Sequence, residues 1–408
     1  MSDALSNLAL QLGQLDPHSA EYATKFVDLL LAAAQHARAS DIHLRPTVDG
    51  LDARLRIDGV LTHVGEFPSG TTSSIVSRLK VLAELLTYRT DVPQEGRIRD
   101  RPLSVEMRVS TFPTLYGEQA VVRLFATSHA FELLADLGLP GSLTDDLRRL
   151  TAETSGAILV TGPAGSGKTT TLYACLREIG RSASGMRSVI TLEDPIESVV
   201  PGVSQSQVNL AAGFDLSTGL RSIVRQDPQV IMIGEIRDRT TAEVALQAAL
   251  TGQLVLSSFH AGSAATAISR LLDMGIEPYA LRSGVLAVVS QRLLRRLCTC
   301  AQPATDASDR LGLNVQTAML PVGCARCAGT GYLARTLIAE LLRIESGQLP
   351  SAILRRADAR EIEALDVAGG MTGQWQRAAE AVESGLTSPA EVRRVLGVGA
   401  VRDEGRDR

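Results

Sequence analysis

The residues best suited to chemistry form a short glycine-rich run. Residues 162–169 fit the pattern G-x-x-x-x-G-K-[ST] of a nucleotide-binding phosphate loop. Glycines let the backbone wrap around phosphates without Cβ clashes, and the backbone N–H groups then point at the phosphate oxygens. The lysine spans the β- and γ-phosphates of ATP, and the threonine hydroxyl coordinates Mg²⁺. The predicted nucleotide-binding residues are Gly162, Pro163, Ala164, Gly165, Ser166, Gly167, Lys168, Thr169 and Thr170.

The surroundings of this run support the same interpretation. The apolar segment 156–162 predicts a buried strand before it, and residues 170–180 predict a helix after it. Such a helix directs its positive dipole end toward a bound anion. The alternative, a glycine-rich turn without a ligand, would not require this context.

Acidic residues follow directly after two other apolar segments, 188–192 and 229–233. The carboxyl ends of parallel strands meet at the edge of a sheet where ligands bind. We therefore expect these carboxylates to polarise the attacking water and to hold the magnesium shell. The candidates are Glu193, Asp194, Glu197 and Glu235. Simple turn chemistry is the alternative for Asp194-Pro195.

One position departs from the usual pattern of phosphate-loop enzymes. Gly234 stands where many of them carry an aspartate that holds the metal. Magnesium binding is therefore expected to depend more on Thr169 and the nearby acids.

Strands alternate with helices from residue 156 onward, which predicts a parallel sheet covered by helices on both faces. The strands are predicted at 156–162, 188–192, 229–233 and 254–258, and the helices at 217–225, 240–251 and 263–274. Earlier in the chain, a helical pattern precedes segments of alternating polarity, which predicts a small α/β domain. The helical segment is 22–38, the alternating segments are 51–58 and 103–109, and 119–125 is a third strand candidate. Asp58-Gly59 predicts a hairpin turn.

The cysteines are concentrated in one part of the chain. Four of the five are Cys298, Cys300, Cys324 and Cys327. Paired cysteines at this spacing predict a tetrathiolate zinc site. The first pair is C-x-C rather than C-x-x-C, which strains ligation of one ion, so four reduced cysteines without a metal are the alternative. Cys175 is expected in the core.

Composition restricts the classes of partner. The formal net charge is −4, and aromatic residues make up 3% of the chain, so no basic, aromatic-rich nucleic-acid surface is expected. No apolar run is long enough to span a membrane, and no secretory signal is present, so we expect a cytoplasmic protein. The basic cluster Arg292, Arg295 and Arg296 is interpreted as a solvated face.

Several segments in a fixed order resemble the type II secretion and type IV pilus assembly ATPases, and the resemblance covers roughly residues 22–396. In the nucleotide-binding part they are 161–174, 190–197 (ITLEDPIE), 222–238 and 251–275. The upstream segments are 39–46, 54–61, 92–97 and 107–118, and the downstream one is 323–336 (GCARCAGTGYLART).

The resemblance implies a RecA-like motor domain with a parallel sheet, flanked by smaller parts. These are a second N-terminal, PAS-like α/β domain at 1–126, a linker at 127–142, the motor domain at 143–290, a tetracysteine zinc module at 291–340, C-terminal helices at 341–396 and a tail at 397–408. The first N-terminal domain, which docks many members onto an inner-membrane partner, is expected to be missing.

The resemblance also implies roles for individual residues. Glu193, Asp194 and Glu197 should lie near the magnesium and the water. Glu235 matches the Walker B glutamate and general base, and His260 matches a histidine that senses the γ-phosphate and a neighbouring subunit. Arginines that reach phosphate or acidic groups, some across a subunit boundary, match Arg97, Arg108, Arg221, Arg225 and Arg237. Salt bridges for the arginines, and a satisfied polar histidine, are the alternatives.

The resemblance implies a hexameric ring that binds ATP, Mg²⁺ and Zn²⁺ and drives inner-membrane platform proteins of a secretion or pilus machine. The cysteine module favours secretion or assembly over retraction. A DNA-uptake or conjugative transfer ATPase is one alternative. A nucleotide-gated scaffold with little hydrolysis is the other, suggested by Gln253 and Ala261, which depart from the family pattern together with Gly262 and Ala164.

Overall fold

The chain divides into two compact units, each with its own core. The computed structural model describes residues 2–99, 106–125, 131–181, 187–327 and 329–397. The first unit consists of residues 1–128, 298–301 and 321–334. The second unit consists of residues 129–297, 302–320 and 335–408. No helix in the described part of the chain is both long and apolar enough to cross a membrane.

The first unit contains a six-stranded antiparallel sheet and three helices. Its elements are α1 (Ser2–Gly13), α2 (Tyr22–His36), β1 (Asp41–Pro46), β2 (Gly50–Ile57), β3 (Val60–Pro68), α3 (Thr72–Leu82), β4 (Gln94–Arg99), β5 (Glu106–Thr114) and β6 (Gly117–Phe125). The strand order is β3-β2-β1-β6-β5-β4. The predicted α/β domain is therefore present, although residues 103–105 of the predicted strand 103–109 lie outside the described residues.

The alternating segment at 51–58 forms β2, and its apolar side chains enter the core of the first unit. Asp58 and Gly59 adopt φ values of 48° and 80°, the left-handed backbone that a two-residue hairpin turn requires. The turn predicted at Asp58-Gly59 is thus confirmed.

The second unit is built around a seven-stranded sheet. Its first half contains α4 (Gly141–Ala152), β7 (Gly156–Thr161), α5 (Lys168–Arg181), β8 (Val189–Glu193), β9 (Ser204–Gln207), α6 (Leu216–Ile223), β10 (Val230–Ile233), α7 (Arg239–Leu250), β11 (Leu254–Phe259), α8 (Ala264–Asp273) and α9 (Pro278–Gly284). Its second half contains β12 (Val285–Leu297), β13 (Gln302–Pro303), β14 (Met319–Leu320), most of β15 (Tyr332–Arg343), α10 (Leu349–Leu354), α11 (Ala359–Ala368), α12 (Gln374–Glu383) and α13 (Pro389–Leu396).

The strand order of this sheet is β15-β12-β7-β11-β10-β8-β9, and the pairs from β12 to β9 are parallel. Separate hydrophobic clusters cover its two faces, one including α4 and α5 and the other α6 to α11. The predicted parallel sheet with helices on both faces is confirmed. Strand β7, which leads into the phosphate loop, lies between β11 and β12.

The cysteine segment is grouped differently from the module proposed at 291–340. Residues 298–301 and 321–334 belong to the first unit, and α1 contacts the short helical turn Ala325–Cys327. The flanking residues instead continue β12 and β15 of the second sheet. The sequence analysis did not predict β12, because the arginines in this segment interrupt the apolar pattern of a buried strand.

Two predicted flexible segments are only partly described. Residues 127–130 of the linker lie outside the described residues, and its middle part forms the turn Leu134–Leu137 before α4 begins. The predicted tail lies outside the described residues except for Gly397. The predicted helical region after residue 341 contains α10 to α13.

Candidate nucleotide and metal sites

The phosphate loop, residues 162–169, leaves β7 and enters α5 at Lys168. Gly162, Gly165 and Gly167 all have positive φ, which favours glycine. A Cβ on Gly162 would also lie 2.5 Å from Ser166 Oγ and 2.6 Å from the Gln291 carbonyl oxygen. The tight curvature that directs N–H groups toward a phosphate therefore depends on glycine at this position.

Lys168 is folded over the loop. Its Nζ donates to the carbonyl oxygens of Gly162 at 2.9 Å and Pro163 at 3.1 Å. Burial lowers the pKa of the Lys168 ammonium and nearby Arg292 adds to this, whereas Glu235 and Glu197 act in the opposite direction. The ammonium is thus held among groups of both charges at the mouth of the loop.

Glu193 ends β8 and is buried, with 2% of its surface exposed. One carboxylate oxygen accepts from Thr191 Oγ1 at 2.7 Å and from Gln205 Nε2 at 3.0 Å. The other oxygen accepts from the hydroxyl of Tyr173. The acidic side chain expected beside magnesium therefore lies inside the unit, with both oxygens hydrogen-bonded.

Tyr173, on α5, connects this buried carboxylate with the loop that follows it. Its hydroxyl oxygen accepts from the backbone N–H of Glu197 at 3.1 Å and of Ser198 at 3.4 Å. Burial and the Glu193 carboxylate raise the pKa of Tyr173. The sequence analysis missed this residue, because a tyrosine at a helical core position carries no local signal of such a role.

Glu197 is exposed, and its Oε1 lies 3.5 Å from Thr169 Oγ1. A hydroxyl and a carboxylate at this separation are the oxygen ligands that Mg²⁺ prefers. The residues present therefore fit a magnesium ion between the phosphate loop and the acidic loop. Thr170 follows on the first turn of α5.

Glu235 follows β10 and is held by a histidine and an arginine side chain. His260 Nε2 lies 2.7 Å from Glu235 Oε1, and Arg237 Nε donates to Glu235 Oε2 at 2.8 Å. Arg237 also approaches Asp194 Oδ2 at 3.9 Å. The structure thus brings together four residues that the sequence analysis selected from three separate segments.

Gly234, next to the end of β8, has room for a Cβ at ordinary van der Waals distances. A Cβ there would lie 3.5 Å from the Glu193 Cα and from the Leu192 carbonyl oxygen. Because glycine supplies no carboxylate, the partly or fully exposed acidic side chains in this region are those of Asp194, Glu197 and Glu235.

The other four predicted arginines are divided between the two units. Arg221 donates to the Ser217 hydroxyl at 2.7 Å, one turn earlier on α6, and Arg225 is exposed beyond that helix. Arg97 and Arg108 are opposite each other on β4 and β5 of the first unit, and Arg108 forms an ion pair with Glu95. Their predicted reach to phosphate remains a prediction.

The basic cluster on β12 is not the solvated face that the sequence analysis described. Arg295 donates to Glu391 at 2.7 Å, and that carboxylate is fully buried. Arg292 is half-buried and donates to two backbone carbonyl groups. The solvated-face interpretation is therefore wrong for these two arginines.

The four clustered cysteines converge in the first unit. All four sulfur atoms lie within 4.8 Å of one another, and the pairs Cys298–Cys324, Cys300–Cys327 and Cys324–Cys327 are each separated by 3.8 Å. Zn–S bonds of about 2.3 Å in a tetrahedron place the sulfurs about 3.8 Å apart. The donor set therefore fits zinc, and the C-x-C pair supplies both of its sulfurs.

Backbone groups around the cysteines support a thiolate. The N–H groups of Cys324 and Gly331 donate to Cys327 Sγ at 3.1 and 3.2 Å. Such hydrogen bonds stabilise negative charge on a sulfur and orient it toward a metal. Cys175 is buried in the core of the second unit, as predicted.

The sequence matches one protein family over almost all of its length. The family described as type II/IV secretion system protein matches residues 17–394. The chain belongs to this family. A relative named type II secretion system protein E, from Klebsiella pneumoniae, is 42% identical over 379 residues, which cover 91% of this chain and 75% of the relative.

A second relative, named type IV pilus assembly ATPase PilB, comes from Thermus thermophilus. It is 38% identical over 381 residues, which cover 91% of this chain but 42% of that protein. Among solved structures, the Legionella pneumophila ATPase DotB is similar in fold, with a TM-score of 0.66 and 21% identity over 91% of this chain and 95% of that one. The chain thus spans less than half of the Thermus relative and three quarters of the Klebsiella one.

Proposed function

We propose that this protein is a phosphate-loop ATPase that works as a motor in type II protein secretion or in assembly of a type IV pilus or pseudopilus. The observation that carries the proposal is the Glu235 carboxylate, held between His260 and Arg237 and close enough to Lys168 to affect its pKa. A phosphate loop beside an oriented carboxylate is the arrangement that phosphoryl transfer to water requires.

Each residue at the site then has a role. The phosphate loop and Lys168 bind the phosphates of ATP, and Thr169 with Glu197 would hold Mg²⁺. The ion neutralises charge on the β- and γ-phosphates when it is bound. Glu235 orients the attacking water and accepts its proton, and His260 fixes the direction of that carboxylate. Arg237 lies between the carboxylates of Glu235 and Asp194. The buried Glu193 carboxylate supports the acidic loop from inside the unit.

The predicted trans contacts are part of the proposal. Arg97, Arg108, Arg221 and Arg225 are the candidates to reach a nucleotide of a neighbouring subunit, since a guanidinium supplied in trans stabilises the transferring phosphoryl group. A head-to-tail contact that closes gives a ring, and the family resemblance favours a hexamer.

The remaining proposals concern location and partners. We propose a cytoplasmic ring at the inner membrane that drives platform proteins of the secretion or pilus machine. The net charge of −4 gives no reason to expect direct nucleic-acid binding.

The experiment is steady-state phosphate release from the purified protein over a concentration series, with Lys168→Ala alongside. Turnover per subunit should rise with concentration and fall to background in the variant, because subunits complete one another's sites. Binding of ATP without release above the variant at any concentration would contradict the motor and favour the scaffold. Turnover that requires DNA would favour a DNA-transfer ATPase.

A further inference from the structure

Two adjacent residues of β12, outside the predicted site, contact both loops that surround the nucleotide position. Strand β12 lies beside β7, and Ser290 is paired with Thr161, the last residue of β7. The next residue, Gln291, is therefore level with the start of the phosphate loop. Arg292 follows it, with its side chain half-buried.

Gln291 supports the phosphate loop from inside the unit. It is fully buried, and its Nε2 donates to the Ser166 carbonyl oxygen at 2.8 Å. Its Oε1 accepts from Thr171 Oγ1 at 3.0 Å, so one amide fixes the loop to the first turns of α5. A carbonyl group that points inward leaves the neighbouring N–H groups free to point outward, toward a phosphate.

Arg292 connects this support to a second segment, the histidine loop (residues 260–263). Its two terminal nitrogens donate to the Gln291 carbonyl oxygen at 3.0 Å and to the Gly262 carbonyl oxygen at 2.6 Å. On the other side of the loop, Thr161 Oγ1 donates to the Ala261 carbonyl oxygen at 3.3 Å. The backbone after His260 is thus fixed to both β7 and β12.

We propose that Gln291 and Arg292 are positioning residues that couple the phosphate loop to the histidine loop. Gln291 sets the curvature of the loop that binds phosphates, and Arg292 sets where His260 meets Glu235. The inference rests on the proposed ATPase function and adds a division of labour: Gln291 governs nucleotide affinity, and Arg292 governs turnover.

This division predicts different effects for the two positions. Gln291→Glu replaces the donor to Ser166 with an oxygen, so ADP affinity should fall about tenfold. Gln291→Met, which lacks the amide but keeps the length, should weaken ADP binding in the same direction. Arg292→Ala should leave ADP affinity within about twofold and lower kcat about tenfold, because ADP does not require His260.

Arg292→Lys separates geometry from charge. Lysine keeps the positive charge but cannot donate from two nitrogens of a planar group, so its kcat should be as low as that of Arg292→Ala. Restoration of kcat by lysine would overturn the bridging role. Arg296→Ala, at an exposed position on the same strand, is the control and should match the wild type.

A double-mutant cycle tests whether Arg292 acts through His260. The variant carrying both Arg292→Ala and His260→Ala should have the same kcat as His260→Ala alone, since the loop that Arg292 positions no longer carries its histidine. Losses that multiply would overturn the coupling, as would equal effects of the Gln291 and Arg292 variants on ADP affinity. Failure of the proposed function itself would be distinguished by equal phosphate release from the wild type and Lys168→Ala.

Discussion

Glu193 and Asp194 are neighbours in the sequence, yet their side chains have different surroundings. Glu193 is buried and hydrogen-bonded by Tyr173, Thr191 and Gln205, whereas Asp194 is exposed and lies near Arg237. We infer that Asp194 faces the nucleotide and that Glu193 supports the acidic loop through Tyr173. Adjacent carboxylates at the end of a strand thus differ in burial, since one is enclosed by hydrogen bonds and the other is exposed.

This division gives a prediction for Tyr173→Phe. The change keeps the ring in the core but removes the oxygen that accepts from the N–H groups of Glu197 and Ser198. Glu197 should then be less well placed, and the Mg²⁺ concentration for half-maximal ATPase activity should rise by roughly three- to tenfold. Activity measured over a magnesium titration checks this.

Two controls make this result specific. ADP binding without Mg²⁺ should change by less than about twofold, because the phosphate loop is untouched. Tyr279→Phe, which alters an exposed tyrosine of the same unit, should leave the magnesium titration unchanged. An unaltered titration in Tyr173→Phe would show that the hydroxyl does not position Glu197.

The sequence could select the residues near the nucleotide but not the direction of each side chain. Strand ends predicted that Glu193, Asp194, Glu197 and Glu235 would gather at one edge. Whether a carboxylate points inward depends on the pleat of its strand and on partners such as Gln205, which lie elsewhere in the chain. Gln291 escaped notice for the same reason, because its contacts are made across strands.

At the scale of elements, short apolar runs predicted the central strands of the second unit. Strands β7, β8, β10 and β11 were predicted nearly in full, since each is a short buried run between polar residues. Helices α7 and α8 were also anticipated, and each begins after an N-cap, Asp238 and Ser263, whose side chain accepts from a backbone N–H group. Strand β12 was missed because three arginines interrupt the apolar residues of its second half.

The cysteine segment gives a prediction at this scale. The purified protein should contain about one zinc ion per chain, because four sulfurs at tetrahedral spacing satisfy one ion. Cys300→Ser should lower the zinc content well below that value and lower the melting temperature, since the ion links two segments that are far apart in sequence. Metal analysis and calorimetry are the measurements.

Cys175→Ser is the matched control for the zinc experiment. It changes a buried cysteine of the second unit and should leave the zinc content unchanged. Full zinc retention by Cys300→Ser would contradict a four-sulfur site that includes the C-x-C pair.

At the scale of the whole molecule, buried carboxylates join the C-terminal helices to the sheet of the second unit. Glu340 on β15 accepts from the N–H groups of Ala264 at 2.8 Å and Gln374 at 3.0 Å, where α8 and α12 begin. Asp366 on α11 is also buried, and its Oδ2 has no hydrogen-bond partner among the described residues. Burial and the charge of Glu340 raise the pKa of Asp366 to about 7.

The raised pKa of Asp366 predicts a pH dependence of stability. Between about pH 4 and pH 7 the folded state keeps a proton that the unfolded state has released, so the free energy of unfolding falls as the pH rises through this range. Asp366→Asn removes the titration and should stabilise the protein at pH 8, by at most about 4 kcal/mol.

Melting temperatures at pH 5 and pH 8 check this prediction. The decrease between the two values should be smaller in Asp366→Asn than in the wild type. Asp273→Asn, at an exposed position on α8, should behave as the wild type does. Equal decreases in all three proteins would show that Asp366 is ionised at neutral pH without cost.

The path of the chain between the two units limits how the protein can be divided. The chain changes unit after residues 128, 297, 301, 320 and 334. A fragment that starts at residue 129 would carry all four cysteines without the sheet and helices of the first unit, and a fragment that ends at residue 128 would lack them. A single cut therefore leaves two incomplete pieces. Transfer of the coding sequence for either unit alone into another gene would require more than one break.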